Sequence, residues 1–315
     1  MSENQHPNHP QSKARPADEL KDQATATGPA GRMLVLGHGY SAAALTPLLL
    51  ARGWQVIGTT RSDRARVAAA GAIPLLWPGE DDSLASAIAQ ADAILLSAAP
   101  GPDGDPVLAA FRDAIAASPA RWIGYLSTTG VYGDRGGDWV DEQSPLTPAT
   151  KRGEERLAAE ADWQALAQAH DLPLHIFRLA GIYGPGRGPF AKLANGTARR
   201  IIKPGQIFSR IHVGDIAQVL LASIDAPNPG AIYNVCDDEP APPEDVIGFA
   251  AQLMGLPLPP AEHFLTAEMT PMARSFYAES KRVSNARLHK ELGIKLLHPD
   301  YRQGLRALAR AEGVI

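Results

Sequence analysis

The 315-residue chain has one cysteine, Cys236, which excludes an intramolecular disulfide framework and a cysteine-based metal cluster. A lone Cys reads most simply as a small buried apolar residue, and its scarcity fits a reducing, cytoplasmic compartment. Charge of one sign is also missing. Thirty Lys and Arg stand against 34 Asp and Glu, for a formal net charge of −4, so neither nucleic acid nor a membrane surface is an expected partner. No apolar run is long enough to cross a bilayer. The nine His residues are scattered without H-E-x-x-H or comparable spacing, so no metal is expected. No G-x-S-x-G elbow occurs, which speaks against hydrolysis by an activated serine. A small molecule remains as the expected partner, with a homodimer among the assemblies to test.

What is present begins after a polar leader. Residues 1–32 are rich in Pro, Gln, Asn and Ala and have little to bury, so disorder is expected. They lack the apolar stretch of a secretory signal, and four acids argue against a transit peptide. Met33 then opens an apolar run, Met33-Leu34-Val35-Leu36, as expected of a parallel strand buried on both faces. A glycine turn follows at once. Gly37, Gly39 and Ala42 give G-x-G-x-x-A: the first glycine permits the tight turn, the second lets backbone approach a pyrophosphate, and Ala42 allows close helix–sheet packing. A helix from about Ser41 to Arg52 aims its free N–H groups at the phosphates, which makes Gly37, Gly39, Tyr40, Ser41 and Ala42 the expected cofactor cradle.

The second strand, Trp54 to Thr60, supplies the context that the motif requires. It ends Thr60-Arg61-Ser62, with no acid before Asp63. An acid at this strand end accepts from the ribose 2′-hydroxyl of NAD, whereas an Arg accommodates the 2′-phosphate of NADP. The charge logic favours NADP, with Thr60, Arg61 and Ser62 as its contacts. The alternative is a solvated Arg in the first turn of the next helix.

Alternation continues down the chain. Ser62 is placed to cap a short helix through Val67–Ala70; strands are expected at 73–77, 91–99, 121–126 and 174–179, and helices at 82–90, 107–117 and 152–170. Six strands separated by helices predict an α/β, Rossmann-type doubly wound parallel sheet over residues 33–180. Beyond Gly181 the elements shorten between Gly and Pro, so 181–315 is expected to be mainly a smaller C-terminal substrate lobe, with a helix at 215–224 returning to the first domain. A strand at 232–235, helices at 244–254, 282–292 and 301–311, and a Pro-rich loop at 256–273 over the substrate cleft complete the expectation.

Several stretches together resemble the extended, nucleotide-sugar epimerase/dehydratase branch of the short-chain dehydrogenase/reductase superfamily. They are GHGYSA, STTGVYGD at Ser127–Asp134, PATKRGEERLAAE, FRLAGIYGPGRG at Phe177–Gly188, RIHVGDIA at Arg210–Ala217 and YNVCDDEP at Tyr233–Pro240. The resemblance implies NAD(P)-dependent oxidoreductase or epimerase chemistry on a small polar, anionic or sugar-like substrate. It also implies a catalytic hydroxyl at Thr128 and a Tyr and Lys four residues apart on the following helix. Counting back from Glu160 places those two positions at Arg152 and Arg156. Arg donates hydrogen bonds but does not surrender a proton near neutral pH, so the usual proton relay is absent and an atypical subgroup is implied.

Two readings of the Arg pair stay open: a fork for a carboxylate or phosphate beside the nicotinamide, or Arg156 paired with Glu160 on a solvated face. The family's cleft-lining segments add Tyr132, Tyr183, Arg187, Arg210 and His212 as substrate-binding candidates. Packing is the simpler role for the two Tyr rings, and a structural hydrogen bond for His212, ahead of a helix that Asp215 would cap. The competing functional class is a non-catalytic NADP-binding sensor or scaffold.

Overall fold

The computed structural model describes residues 30–315, so the expected disorder of 1–32 falls outside the described residues except at 30–32. The first half alternates β1 (Arg32–Leu36), α1 (Tyr40–Leu50), β2 (Gln55–Thr60), α2 (Arg64–Ala69), β3 (Ile73–Leu76), α3 (Asp81–Ile88), β4 (Ala93–Leu96), α4 (Pro106–Ala116) and β5 (Trp122–Thr128). A short strand β6 (Trp139–Val140) precedes the long helix α5 (Lys151–His170) and β7 (Leu174–Leu179). The remainder comprises β8 (Gly181–Tyr183), α6 (Phe190–Ala194), β9 (Arg200–Ile202), β10 (Arg210–His212), α7 (Val213–Asp225), β11 (Ile232–Val235) and α8 (Pro243–Leu253). It closes with β12 (Ala261–His263), α9 (Pro271–Phe276), β13 (Arg282–Val283), α10 (Ala286–Leu292) and α11 (Tyr301–Ala311).

Seven strands form one parallel sheet in the order β3-β2-β1-β4-β5-β7-β11. The expected strand at 232–235 thus extends the large sheet beside β7, within the stretch expected to form mainly the smaller lobe. The order reverses direction at β1, and the crevice beyond the carboxyl ends of β1 and β4 is where open α/β sheets take ligands.

Apolar runs of period one explain the two-sided core. Alternate residues of β1 point to opposite faces: Met33 and Val35 join Leu45 and Leu49 of α1 and Ile216, Val219 and Leu220 of α7, whereas Leu34 and Leu36 join α3, α4 and α5 through Leu84, Ile115 and Trp163. Each fully buried Leu contributes about 1.5–3 kcal/mol. Helix α7 therefore packs against α1 on this face. The smaller lobe has its own core of Phe190, Leu193, Ala250, Ala251, Tyr301, Leu305 and Leu308.

Three local expectations need correction. Asp63 caps α2, its carboxylate accepting from Arg66 N–H at 2.9 Å, because the helix starts one residue after it and leaves Ser62 outside. Residues 282–292 are not one helix, since Arg282–Val283 pair with Trp139–Val140 before α10 begins. The Pro-rich segment 256–273 contains β12, paired in parallel with β9, so part of it is pinned by backbone hydrogen bonds.

Candidate active site

The crevice is built around the turn from β1 to α1. Gly37 has φ +91°, and a Cβ there would lie 2.7 Å from Ala98 N, so both backbone conformation and close approach require glycine. The turn is stapled to β2, with Gly37 N–H donating to Thr59 Oγ1 at 2.7 Å and His38 N–H to Thr59 O at 2.8 Å. Gly39 is the residue before α1, which has no side-chain cap and no acid in its first turn. A Cβ on Gly39 would meet only Gly37 O, at 3.8 Å, so it would stand in an open cradle. The N–H groups of Tyr40, Ser41 and Ala42 have no partner within the helix, and they face this cradle with the positive end of the dipole. The residues fit a dinucleotide pyrophosphate.

His38 secures the turn from below. The Thr46 hydroxyl donates to Ala42 O at 2.9 Å and so accepts from His38 Nε2 at 2.9 Å, leaving His38 Nδ1 without a partner among the described residues. Burial lowers the pKa of this imidazole and keeps it neutral. At the end of β2, Thr60 Oγ1 accepts from Asp63 N–H at 3.2 Å. Arg61 and Ser62 are exposed, and Arg61 has no hydrogen bond or ion pair among the described residues.

The expected catalytic residues lie on the other side of the crevice. Thr128 ends β5, and its Oγ1 accepts from Gly130 N–H at 3.1 Å, so the hydroxyl proton stays available. Arg152 is exposed in the first turn of α5 with no partner among the described residues. Arg156 donates from Nη1 to Leu126 O at 2.8 Å and to Tyr125 Oη at 3.1 Å. The two guanidinium groups therefore do not converge on a shared fork.

Nor does Arg156 pair with Glu160. Glu160 is 1% exposed and is held by Arg178, 2% exposed, with Arg178 Nη2 donating to Oε2 at 2.8 Å and Nε to both carboxylate oxygens. Ser127 Oγ also donates to Glu160. Arg178 Nη1 donates to Tyr132 Oη at 2.9 Å, and Tyr132 Oη donates to Asn234 Oδ1 at 2.7 Å. This network ties β5, α5, β7 and β11 together beneath the crevice. The isolated Glu and Arg in the sequence gave no sign of it, because the partners are 18 residues apart on separate elements.

Tyr132, a substrate candidate, is thereby a core residue: it is fully buried, and burial pushes its hydroxyl pKa up to about 12. Tyr183 is also buried, with its ring against Gly304, and burial raises its pKa. Arg210 Nη1 donates to Phe208 O at 2.9 Å and Ala241 O at 3.0 Å. Near it, Asp237 is buried with neither carboxylate oxygen partnered among the described residues; burial raises its pKa to about 8, with the Arg210 charge opposing.

His212, rather than Asp215, caps α7, its Nδ1 accepting from Gly214 N–H at 3.1 Å. Asp215 lies one turn position further and accepts from Leu297 N–H at 2.6 Å and His298 N–H at 3.2 Å. His212, Asp215 and His298 bring ligand atoms within 4.8 Å of one another. The cap leaves the Nε2 proton on neutral His212, so its free lone pair is already spent, and the cluster reads as a structural joint rather than a metal site. Burial, and then the neighbouring His298, lower the His212 pKa to about 4. Arg187 is exposed and lies over the Tyr40 ring, 4.2 Å from its centroid.

A seven-stranded parallel sheet of Rossmann type, with a glycine cradle at its switch point and a smaller lobe facing that cradle, defines a dinucleotide-binding α/β protein. Residues 33–236 match the NAD dependent epimerase/dehydratase family, and the chain belongs to that family. It is 30% identical to Protein YeeZ of Escherichia coli strain K12 over 85% of this chain and 97% of the relative. It is 29% identical to a 3-diazoavenalumate denitrifying reductase of Streptomyces over 53% of this chain and 55% of that protein. A solved structure of a functionally unknown conserved protein from Silicibacter pomeroyi shares 59% identity and a TM-score of 0.85, covering 89% of this chain and 99% of that one. No helix among the described residues is long and apolar enough to cross a membrane.

Proposed function

We propose that the protein is an atypical, NADP-dependent oxidoreductase or epimerase of this family that acts on a small polar substrate, anionic or sugar-like, in the cytoplasm. The observation that carries the cofactor preference is Arg61, exposed and free of partners at the end of β2, while the nearest acid, Asp63, is engaged in capping α2. A cation stands where an NAD site would place an acid. The cradle at Gly37, Gly39, Tyr40, Ser41 and Ala42 would hold the pyrophosphate, and Thr60, Arg61 and Ser62 the 2′-phosphate.

The bound nicotinamide would supply or accept a hydride. In this reading Arg152 and Arg156 stand at the family's Tyr and Lys positions, so neither moves the proton. Thr128 is the remaining hydroxyl at the strand end: its oxygen is held by Gly130 N–H, and its proton can be donated to a substrate oxygen. Arg152, exposed at the start of α5, supplies positive charge for an anionic substrate group. The buried Glu160–Arg178 pair holds β5 in place beneath Thr128.

The anchoring of Arg156 to Leu126 O and Tyr125 favours a second reading, a non-catalytic NADP-binding sensor, because that side chain is not poised at the cofactor. Equilibrium titration with NADPH and NADH, followed by nicotinamide fluorescence, tests the cofactor assignment: tight NADPH and weak NADH binding are expected, and binding of neither refutes it. Transfer of isotopic label between nicotinamide C4 and a carbonyl substrate separates enzyme from sensor. Sedimentation of the purified chain tests the homodimer.

A further inference from the structure

The turn Gly184-Pro185-Gly186-Arg187 reaches from the smaller lobe to the glycine cradle and is rigid by its own chemistry. Pro occupies the second position and Gly186, with φ +71°, the third, while Arg187 N–H donates to Gly184 O at 2.8 Å. This is the pattern of a type II turn. It is pinned from two sides. Tyr40 Oη donates to Pro185 O at 2.9 Å, and Gly186 N–H donates to Glu312 Oε1 at 2.9 Å. The approach to Tyr40 is close enough that a Cβ on Gly184 would lie 2.7 Å from Tyr40 Oη.

The turn ends in Arg187, whose guanidinium sits over the Tyr40 ring without an acidic partner among the described residues. Tyr40 is also the first residue of α1, and its own backbone N–H is one of the unpaired donors of the cradle. A guanidinium is planar and weakly hydrated, so it can stack on an aromatic face while its N–H fork stays available to phosphate oxygens. An unpaired positive charge seated on the ring of the residue that carries one of these free N–H groups adds to their field.

We propose that Arg187 is a cofactor-binding residue, a clamp carried by the smaller lobe that closes on the dinucleotide pyrophosphate, with the Tyr40 ring as its platform. This rests on the dinucleotide-binding reading above, and it reassigns Arg187 from substrate to cofactor. It separates the work of two arginines. Arg61 addresses the 2′-phosphate, which only NADP carries, whereas Arg187 addresses the pyrophosphate, which NAD and NADP share.

The test is the dissociation constant of full-length wild-type, Arg187→Ala and Tyr40→Leu proteins for NADPH, NADH and adenosine 2′-monophosphate, measured by fluorescence and calorimetry. A charge-assisted contact to phosphate corresponds to about a ten- to hundredfold change in affinity. Arg187→Ala should lose that factor for NADPH and NADH alike and leave adenosine 2′-monophosphate, which has no pyrophosphate, unchanged. Tyr40→Leu removes the aromatic platform but keeps the backbone donor, and should weaken both dinucleotides as well, by less than Arg187→Ala. Matching apo melting temperatures would show that the variants fold. Unchanged dinucleotide affinity in Arg187→Ala, with wild type binding normally, overturns the clamp alone. Wild type binding neither dinucleotide overturns the reading beneath it as well.

Discussion

Replacement of Arg61 by Ala isolates the electrostatics of cofactor choice. The side chain is exposed and makes no hydrogen bond or ion pair among the described residues, so its loss should leave stability within about 0.5 kcal/mol. Against a 2′-phosphate the balance differs. A unit charge pair at 4 Å is worth about 1 kcal/mol in water and about 4 kcal/mol at the effective dielectric near a protein surface. Exposure argues for the lower half of that range, and the paired N–H fork of an Arg–phosphate contact for somewhat more than the minimum. A loss of about 1.5–2.5 kcal/mol follows, which is roughly 10- to 70-fold in the NADPH dissociation constant. NADH offers a neutral hydroxyl and should change less than about threefold. The assay is nicotinamide fluorescence titration at low and high salt, because the Debye length shrinks from about 30 Å at 0.01 M to about 3 Å at 1 M and the NADPH advantage should shrink with it. An equal loss for both dinucleotides, or an NADPH preference indifferent to salt, would refute the reasoning.

Other consequences concern the scaffold. Glu160→Ala leaves the Arg178 charge buried and unpaired, so urea denaturation should show a loss of about 3–5 kcal/mol, while Glu154→Ala, at an exposed position in the first turn of α5, should cost less than about 1 kcal/mol. Gly37→Ala and Gly39→Ala should separate folding from binding. The first puts a Cβ 2.7 Å from Ala98 N at φ +91° and should lower the melting temperature, whereas the second meets only Gly37 O at 3.8 Å and should weaken dinucleotide binding with the melting temperature nearly unchanged. Asp237 gives a pH dependence: the unfolded chain releases its proton near the ordinary carboxylate value of about 3.9, the native chain near about 8. Between those values the native state holds the extra proton, so this group lowers stability as pH rises through that window. The difference in stability between wild type and Asp237→Asn should therefore grow against wild type from pH 5 to pH 8; a difference independent of pH would contradict the burial argument.

The parallel sheet was legible in the residues because β1 and β4 carry unbroken apolar runs and the first four strands are each followed by a helical pattern. The β1–α1 turn was legible because a glycine pair in that setting has few alternatives. The functional residues divided differently. The exposed position of Arg61 at the end of β2 could be read from the sequence, and its proposed contact with a 2′-phosphate rests on that position. For Tyr132 the packing role was the simpler reading and the ring is fully buried, but its hydroxyl partners Arg178 and Asn234, 46 and 102 positions away, could not be read locally. His212 was placed beside a helix start in the sequence, but only the backbone showed that it caps α7 itself and frees Asp215 to hold the 297–298 backbone.

The sequence by itself determined the class of fold, the cradle and the charge at the end of β2, all set within about thirty consecutive residues by local backbone chemistry and hydrophobic periodicity. Tertiary structure alone decided that 232–235 completes the large sheet, that Glu160 is buried with Arg178, that Arg156 turns to Tyr125, and that Arg187 lies on Tyr40. These are contacts between segments far apart in the chain. No local propensity specifies them, because each is chosen by which surfaces the packed layers bring within hydrogen-bonding or stacking distance.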